Sequence, residues 1–97
     1  MAELEYYNVP FVVEMDYDNG LNIDITSYTG AARLQLTVVY RNNGNVAAID
    51  VSHIKVDKFG SRSFGKQLDT KYECADVYVT YGTDIVASGY VYLRSLN

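Results

Sequence analysis

The sequence predicts an all-β fold: an antiparallel sandwich of about seven short strands, forming a single domain over residues 1–97. Three observations support this prediction. Short segments alternate apolar and polar side chains, and runs of Asn and Gly separate them. The composition is rich in strand-forming residues, with ten Tyr and a single Pro. A small barrel is the alternative architecture.

The charge of the chain is acidic overall and unevenly distributed. The formal net charge is -4; residues 1–28 carry six carboxylates and no Lys or Arg, whereas residues 55–71 carry five basic and two acidic side chains. Because nucleic-acid binding requires a net basic surface, we expect no nucleic-acid partner. No apolar run is long enough to span a bilayer, so we expect no membrane insertion.

The first clear unit is a hairpin around Asn19 and Gly20. A two-residue turn would mix apolar and acidic side chains on one face. A three-residue loop over 18–20 instead pairs Tyr17 with Leu21, Met15 with Ile23 and Val13 with Ile25, and it gives Gly20 a positive φ. The alternation therefore predicts the three-residue loop.

The middle of the chain predicts two longer strands joined at 42–45, a run of Asn and Gly typical of a tight turn. A further short strand is expected over 4–9, before the first hairpin. In the segment 46–56 the apolar set is odd-numbered at Ala47, Ile49 and Val51 and even-numbered at Ile54 and Val56. This parity change predicts a bulge or bend at 52–53, and a buried helix is the competing interpretation.

The last third predicts a long basic loop over 58–70, which could include a short edge strand, and then a second hairpin. Alternation in that hairpin favours the three-residue loop 82–84, pairing Tyr81 with Ile85 and Val79 with Ala87. Its outer face is expected to carry Tyr78, Tyr90 and Tyr92.

The stretch 36–48, LTVVYRNNGNVAA, resembles the strand–turn–strand core of immunoglobulin-like β-sandwich modules, and 54–60, IKVDKFG, is similar to the run that often follows. Such modules occur in prokaryotic cell-surface adhesion proteins and in archaeal filament-associated proteins. The resemblance implies an immunoglobulin-like sandwich. The kind of assembly expected for such a module is a surface filament, an envelope layer or a virion, and an extracellular, cell-surface or virion location is favoured over the cytoplasm.

The stretch 68–75, LDTKYECA, is similar to the sixth-strand signature of immunoglobulin domains. Tyr72 stands two residues before Cys74, which is the spacing of a tyrosine corner. Cys74 is the only cysteine of the chain, so no internal disulfide is expected.

Candidate chemistry is sparse. His53 is the only histidine, so any catalytic dyad or triad would depend on it, and no nucleophile motif accompanies it. We therefore expect no enzyme and no cofactor. The hairpin register sets Glu14 opposite Asp24, with Asp16 beside them on one solvent face. A divalent cation could compensate these carboxylates, as could a basic partner or hydration.

The favoured function is a non-catalytic structural or protein-interaction module, a building block or accessory of a larger assembly. The alternative is a small-ligand or carbohydrate-binding module. We expect a protein partner, with self-association into a homo-oligomer or larger assembly in which the acidic hairpin of one molecule meets the basic 58–70 segment of another. The expected contact residues are Tyr78, Tyr90, Tyr92, Phe59, Arg62, Phe64 and Lys66.

Overall fold

A computed structural model describes residues 11–17, 20–28, 32–56 and 60–93. It contains seven strands: β1 (Phe11–Tyr17), β2 (Leu21–Ser27), β3 (Ala32–Asn42), β4 (Asn45–Val56), β5 (Gly60–Lys66), β6 (Cys74–Tyr81) and β7 (Asp84–Tyr92). The strand predicted over 4–9 lies outside the described residues. Within the described ranges there is no helix long and apolar enough to cross a membrane.

The strands form two antiparallel sheets, one in the order β1-β2-β5 and the other in the order β4-β3-β6-β7. The chain crosses between the sheets after β2, β4 and β5, so neighbouring strands of a sheet are not all consecutive in sequence. This arrangement is an immunoglobulin-like antiparallel sandwich, which confirms the predicted fold class.

The core lies between the two sheets and is built from one side of each strand. Ile23 and Ile25 come from the three-stranded sheet, and Leu34, Leu36 and Val38 face them from β3; all five are fully buried. Each such side chain stabilises the fold by roughly 1.5–3 kcal/mol relative to an exposed position. The alternation seen in the sequence is therefore the pattern that builds this core.

The first two hairpins have the predicted geometry. β1 pairs with β2 in the register that sets Tyr17 against Leu21, and Gly20 has a φ of 152°. In the β3–β4 hairpin, Asn43 and Gly44 have φ values of 54° and 82°. Two successive positive φ values define a type I′ turn, whose twist matches the flanking strands.

The predicted inward set of β4 is wrong in its first half. Ile49 and Val51 are 61% and 48% exposed. The pairing of β3 with β4 is continuous through Ser52 and His53, and its irregularity lies at Tyr40 and Arg41. A bulge near the turn thus replaces the parity change predicted at 52–53.

The bulge explains the error because it leaves one residue, Ala47, without a partner on β3. From Ala48 to Val56 the inward positions of β4 are then even-numbered, and Ala48, Asp50 and Ser52 occupy those nearer the turn. Polar residues are tolerated there because β4 is an edge strand, where inward side chains can reach the rim of the sandwich.

Two expectations for the second half of the chain are confirmed only in part. In the segment 58–70 the edge strand that the sequence left open is present as β5, which pairs with β2 along its whole length, so less of the segment is loop than expected. In the β6–β7 hairpin, Tyr81 pairs with Asp84 around a two-residue turn, and Val86 is the extra residue of a bulge. The predicted pairing of Val79 with Ala87 is confirmed, whereas Tyr81 with Ile85 is wrong.

The connection from β5 to β6 is held by side chains of β3. The Tyr40 hydroxyl accepts a hydrogen bond from the Asp69 backbone N–H at 3.1 Å, and the Asn42 Oδ1 accepts one from the Glu73 N–H at 2.9 Å. Tyr72 stacks on Tyr40 with ring centroids 4.7 Å apart. A tyrosine hydroxyl therefore anchors this connection, but it belongs to Tyr40 and not to the predicted Tyr72.

Candidate interaction surface

The outer side of the four-stranded sheet carries a group of exposed apolar and aromatic side chains. The strand registers place these side chains in three adjacent rows across the sheet. We call this surface the aromatic face; it comprises Val39, Val46, Ile49, Val51, Tyr78, Tyr90 and Tyr92.

The exposure of this face is concentrated on the two edge strands. Ile49 on β4 and Tyr90 on β7 are each 61% exposed, whereas Val39 and Tyr78 on the central strands are partly buried. The prediction that Tyr78, Tyr90 and Tyr92 share one outer face is confirmed by the register of β6 and β7. A clustered apolar surface of this kind is typical of a binding site.

Sequence reasoning missed the aliphatic half of the aromatic face. Val46, Ile49 and Val51 are exposed, although the last two were expected in the core. A detectable signal was the even parity of Ile54 and Val56, which extends back along β4 through Ser52 and Asp50. The sequence did not favour this even parity because it places the polar side chains of Ser52 and Asp50 inward.

An ion pair and a hydrogen bond lie at the centre of the aromatic face. The Arg41 Nε donates to the Asp76 Oδ2 at 2.8 Å, and this hydrogen bond raises the pKa of Arg41. The Tyr90 hydroxyl bonds to Cys74, and mainly for that reason the pKa of Tyr90 is raised to about 12. Tyr90 is therefore a neutral hydrogen-bonding phenol at physiological pH.

Cys74 lies beneath this face and outside the main core. It occupies an outward position of β6, opposite Tyr92, yet it is buried. Its burial restricts access to the thiol.

The outer side of the three-stranded sheet is acidic, and we call it the acidic face: Glu14, Asp16 and Asp24. Glu14 stands opposite Asp24, and Asp16 stands opposite Asn22, as the sequence predicted. Ser63 donates a hydrogen bond to Asp24 Oδ1 at 2.6 Å.

The structure adds no support for a cation on the acidic face. Among the described residues, no three His, Cys, Asp or Glu side chains form a group that could hold a metal ion. The Ser63 hydroxyl is the compensation that the structure does show for one of the opposed carboxylates.

The basic segment does not lie apart from the acidic hairpin. β5, which carries Arg62 and Lys66, is hydrogen-bonded to β2, the second strand of the acidic hairpin, so the two regions lie side by side in one sheet. The Lys66 Nζ lies 2.7 Å from Asp50 Oδ2, and the Arg62 Nη1 donates to the Lys55 carbonyl at 2.6 Å. Both predicted contact residues thus tie β5 to β4 within one molecule.

The two predicted phenylalanine anchors differ in what the structure shows. Phe64 is partly buried and packs against the core, opposite Ile23. Phe59 lies outside the described residues. Of the tyrosines predicted as contact residues, Tyr90 and Tyr92 of β7 are exposed and Tyr78 of β6 is partly buried.

A shallow depression of about 100 Å³ lies between β1 and β7. Met15, Tyr17, Gly89 and Tyr90 contribute to its lining. Small-molecule sites usually enclose about 300–1,000 Å³, so this depression is small for a ligand.

The candidate catalytic groups are far apart. His53 pairs with Gln35 on β3, whereas Cys74 pairs with Arg41 on the same strand. At about 3.4 Å per residue, these positions are roughly 20 Å apart along β3, so the two side chains cannot form a dyad.

No family model, curated protein or solved structure matches this chain.

Proposed function

We propose that this protein is a non-catalytic interaction module that binds another protein through its aromatic face, as a building block or accessory of a larger assembly. The observation that carries the proposal is the exposure of Ile49, Val51, Tyr90 and Tyr92 on one sheet face. Burying such side chains in a contact is favourable by about 25 cal/mol per Å² of apolar surface.

The outer side of the four-stranded sheet, which includes the aromatic face, is large enough for a protein contact. Four strands about 4.8 Å apart, each about nine residues long, give this whole side a flat footprint of roughly 600 Å². A standard protein interface buries about 800 Å² on each partner. The footprint therefore fits a modest interface.

The mixture of side chains favours protein over carbohydrate. Tyr90 and Tyr92 could stack on sugar rings, which keeps a carbohydrate-binding module as the second candidate. Ile49 and Val51 offer no aromatic ring for stacking, yet they are as exposed as the tyrosines. Aliphatic and tyrosine side chains together are typical of the centre of a protein interface.

Photo-crosslinking tests this proposal, either in the cells that produce the protein or in assembled particles that contain it. A benzophenone amino acid at Tyr90 should give one discrete protein adduct, and the same probe at Thr83, in the β6–β7 turn, should give none. Adding Ile49→Ser and Val51→Ser to the Tyr90 probe should abolish the adduct. No adduct at Tyr90, or one that survives these substitutions, would contradict the proposal, and a glycan adduct would favour the second candidate.

A further inference from the structure

The sandwich has two open sides, where the edge of one sheet lies beside the edge of the other: β4 beside β5, and β1 beside β7. On the β4–β5 side, the Lys66 Nζ lies 2.7 Å from Asp50 Oδ2, and the Arg62 Nη1 donates to the Lys55 carbonyl. On the β1–β7 side, the depression of about 100 Å³ leaves a gap between the sheets. Polar side chains therefore bridge the first side, whereas the second is open.

β7 is the edge of the four-stranded sheet on this open side. Its neighbour in the sheet is β6, and no strand of the described ranges pairs with the other edge of β7 along 87–91. From Ile85 to Tyr92 the strand has no charged residue and no Pro, which are the residues that commonly protect an edge from pairing. Its bulge residue, Val86, lies near the turn, so 87–91 is regular. This stretch is therefore a template for an added strand.

The depression beside this edge suits one apolar side chain. Its lining includes Met15 and Leu21 from one sheet and Val77, Gly89 and Val91 from the other. Gly89 lacks a side chain where a Cβ would lie 3.6 Å from the Met15 Cε, which leaves room at the mouth. Because an apolar cavity of about 150 Å³ accepts benzene, this smaller space suits a side chain the size of Val or Leu. A strand added to β7 points alternate side chains toward this gap.

The side chains around this edge are acidic. β1, β6 and β7 together contain no Lys or Arg. Glu14 and Asp16 on β1 and Asp84 at the start of β7 are exposed, and Asp16 also contributes to the lining of the depression. Charge complementarity therefore favours an added strand with Lys or Arg on both sides of its apolar residue.

We propose that the β7 edge binds an extended basic segment of another protein, which adds to the four-stranded sheet as a fifth strand. The segment places one aliphatic side chain in the depression and basic side chains near Asp16 and Asp84. Main-chain hydrogen bonds supply the affinity, and the depression and carboxylates select the sequence. This site goes beyond the contact proposed for the aromatic face, because it uses the edge of the sheet and not its outer side.

A second copy of this chain fits the edge less well than such a segment. Pairing β7 with β7 of the second copy would bring two acidic β1 strands to the same contact. Among the described edge strands, β5 is the one with a net positive charge, from Arg62 and Lys66. Both of those side chains are engaged with β4. The described strands of a second copy therefore offer no suitable basic segment.

Nuclear magnetic resonance titration with a designed peptide tests the proposal. The probe is the peptide Lys-Thr-Val-Lys-Leu-Lys-Val-Thr-Lys, with both ends blocked. It should bind with a Kd of about 0.1–1 mM and slow the amide hydrogen exchange of 87–91. Replacing its Leu with Ala should weaken binding about tenfold, and replacing every Lys with Glu should abolish it.

Two N-methylated forms of the peptide identify strand addition. In one form alternate residues that include Leu are methylated, and in the other form the remaining residues are methylated. Because alternate residues of a strand direct their N–H groups to opposite edges, one form should lose binding and the other should keep it.

Gly89→Val tests the depression by filling it from within the protein, and it should weaken peptide binding at least about tenfold. Gly65→Val is the matched control, because Gly65 is also a strand glycine without a positive φ and lies in β5. It should bind the peptide like the wild type. Thermal unfolding confirms that both variants are folded.

Asp16→Asn is a second, surface variant that tests the charge. It should weaken binding about two- to fivefold at low salt, whereas Asp69→Asn removes one carboxylate from the β5–β6 connection and should have no effect. Ile49→Ser should also leave peptide binding unchanged, because Ile49 lies on β4, at the opposite edge of the sheet.

Three results would overturn the edge site: no binding at peptide concentrations up to about 5 mM, equal binding of the two N-methylated forms, or full binding by Gly89→Val. Slow exchange along 87–91 without peptide would also overturn it: at every protein concentration it would mean that the chain covers its own edge, and rising with concentration it would mean a second copy. Peptide binding without a Tyr90 crosslink would contradict the proposed function and leave the edge site standing. A Tyr90 crosslink that depends on Ile49, without peptide binding, would do the reverse.

Discussion

At the residue scale, Gly20 shows how one backbone angle closes the first hairpin. Its φ of 152° lies in a region that residues with a Cβ rarely adopt. A Cβ added there would lie 3.1 Å from the Gln67 Oε1, at the mobile end of a side chain. Backbone strain is therefore the main cost of a substitution, and crowding is the smaller one.

Replacing Gly20 with Val should lower the free energy of unfolding by about 1 kcal/mol or more, because a β-branched side chain resists a positive φ. Chemical denaturation followed by circular dichroism measures the change. Gly65→Val is the matched control, since Gly65 lies in β5 without a positive φ and its added Cβ would meet only Asn22 Oδ1, at 3.9 Å. Equal losses for the two variants would contradict the role of φ.

The tyrosine pair at the β5–β6 connection is a second feature of residue scale. Tyr40→Phe removes the acceptor of the Asp69 N–H and should cost about 0.5–1.5 kcal/mol, whereas Tyr72→Phe keeps the stacked ring and should be nearly neutral. Denaturation of both variants under the same conditions provides the comparison. A larger loss of unfolding free energy for Tyr72→Phe than for Tyr40→Phe would mean that Tyr72 anchors the connection, as its tyrosine-corner spacing indicates.

At the element scale, β4 is the strand whose two faces sequence reasoning assigned incorrectly. Its bulge near the turn shifts the parity so that Ile54 and Val56 are buried while Ile49 and Val51 lie outside. The isolated sequence favours the opposite arrangement near the turn, because it would bury two aliphatic side chains. Pairing with β3 overrides that local preference.

The corrected face of β4 predicts unequal effects for two isoleucines of one strand. Ile49→Ala should change the free energy of unfolding of the monomer by less than about 0.5 kcal/mol, because the side chain is exposed. Ile54→Ala should cost about 2–5 kcal/mol, because it leaves a cavity in the core. Denaturation in dilute solution distinguishes the two variants. A large loss of unfolding free energy for Ile49→Ala would mean that Ile49 faces the core, as the sequence predicted.

At the scale of the whole molecule, the two sheets are joined at one open side by contacts between β4 and β5. The Lys66–Asp50 ion pair spans this side at 2.7 Å, with side chains 20% and 44% exposed. Because water screens a partly exposed pair, its contribution should be modest. The pair nevertheless provides a partner for the inward carboxylate of an edge strand.

Lys66→Met should lower the free energy of unfolding by about 0.5–1 kcal/mol by leaving Asp50 without its partner. Lys71→Met is the control, because its ion pair with Asp69 is longer, 3.6 Å, and more exposed, and its loss should cost less than about 0.3 kcal/mol. Thermal unfolding at low and high salt measures both. If high salt leaves the gap between the variants unchanged, the difference is not electrostatic.

The sequence by itself determined the features that depend on neighbouring residues. Alternation with a period of two and the turn-forming Asn and Gly residues specify strands, the first two hairpins and the face shared by Tyr78, Tyr90 and Tyr92, because these features follow from local geometry. The all-β class follows from the same signals.

Only the tertiary structure decided how distant strands combine. The pairing of β5 with β2 decided between a loop and an edge strand, which the sequence had left open, and the bulge opposite Tyr40 moved Ile49 and Val51 to the outside. The acidic face also depends on which strands share a sheet. Residues far apart in sequence set these pairings, and the alternation within one strand is the same whichever neighbour it acquires.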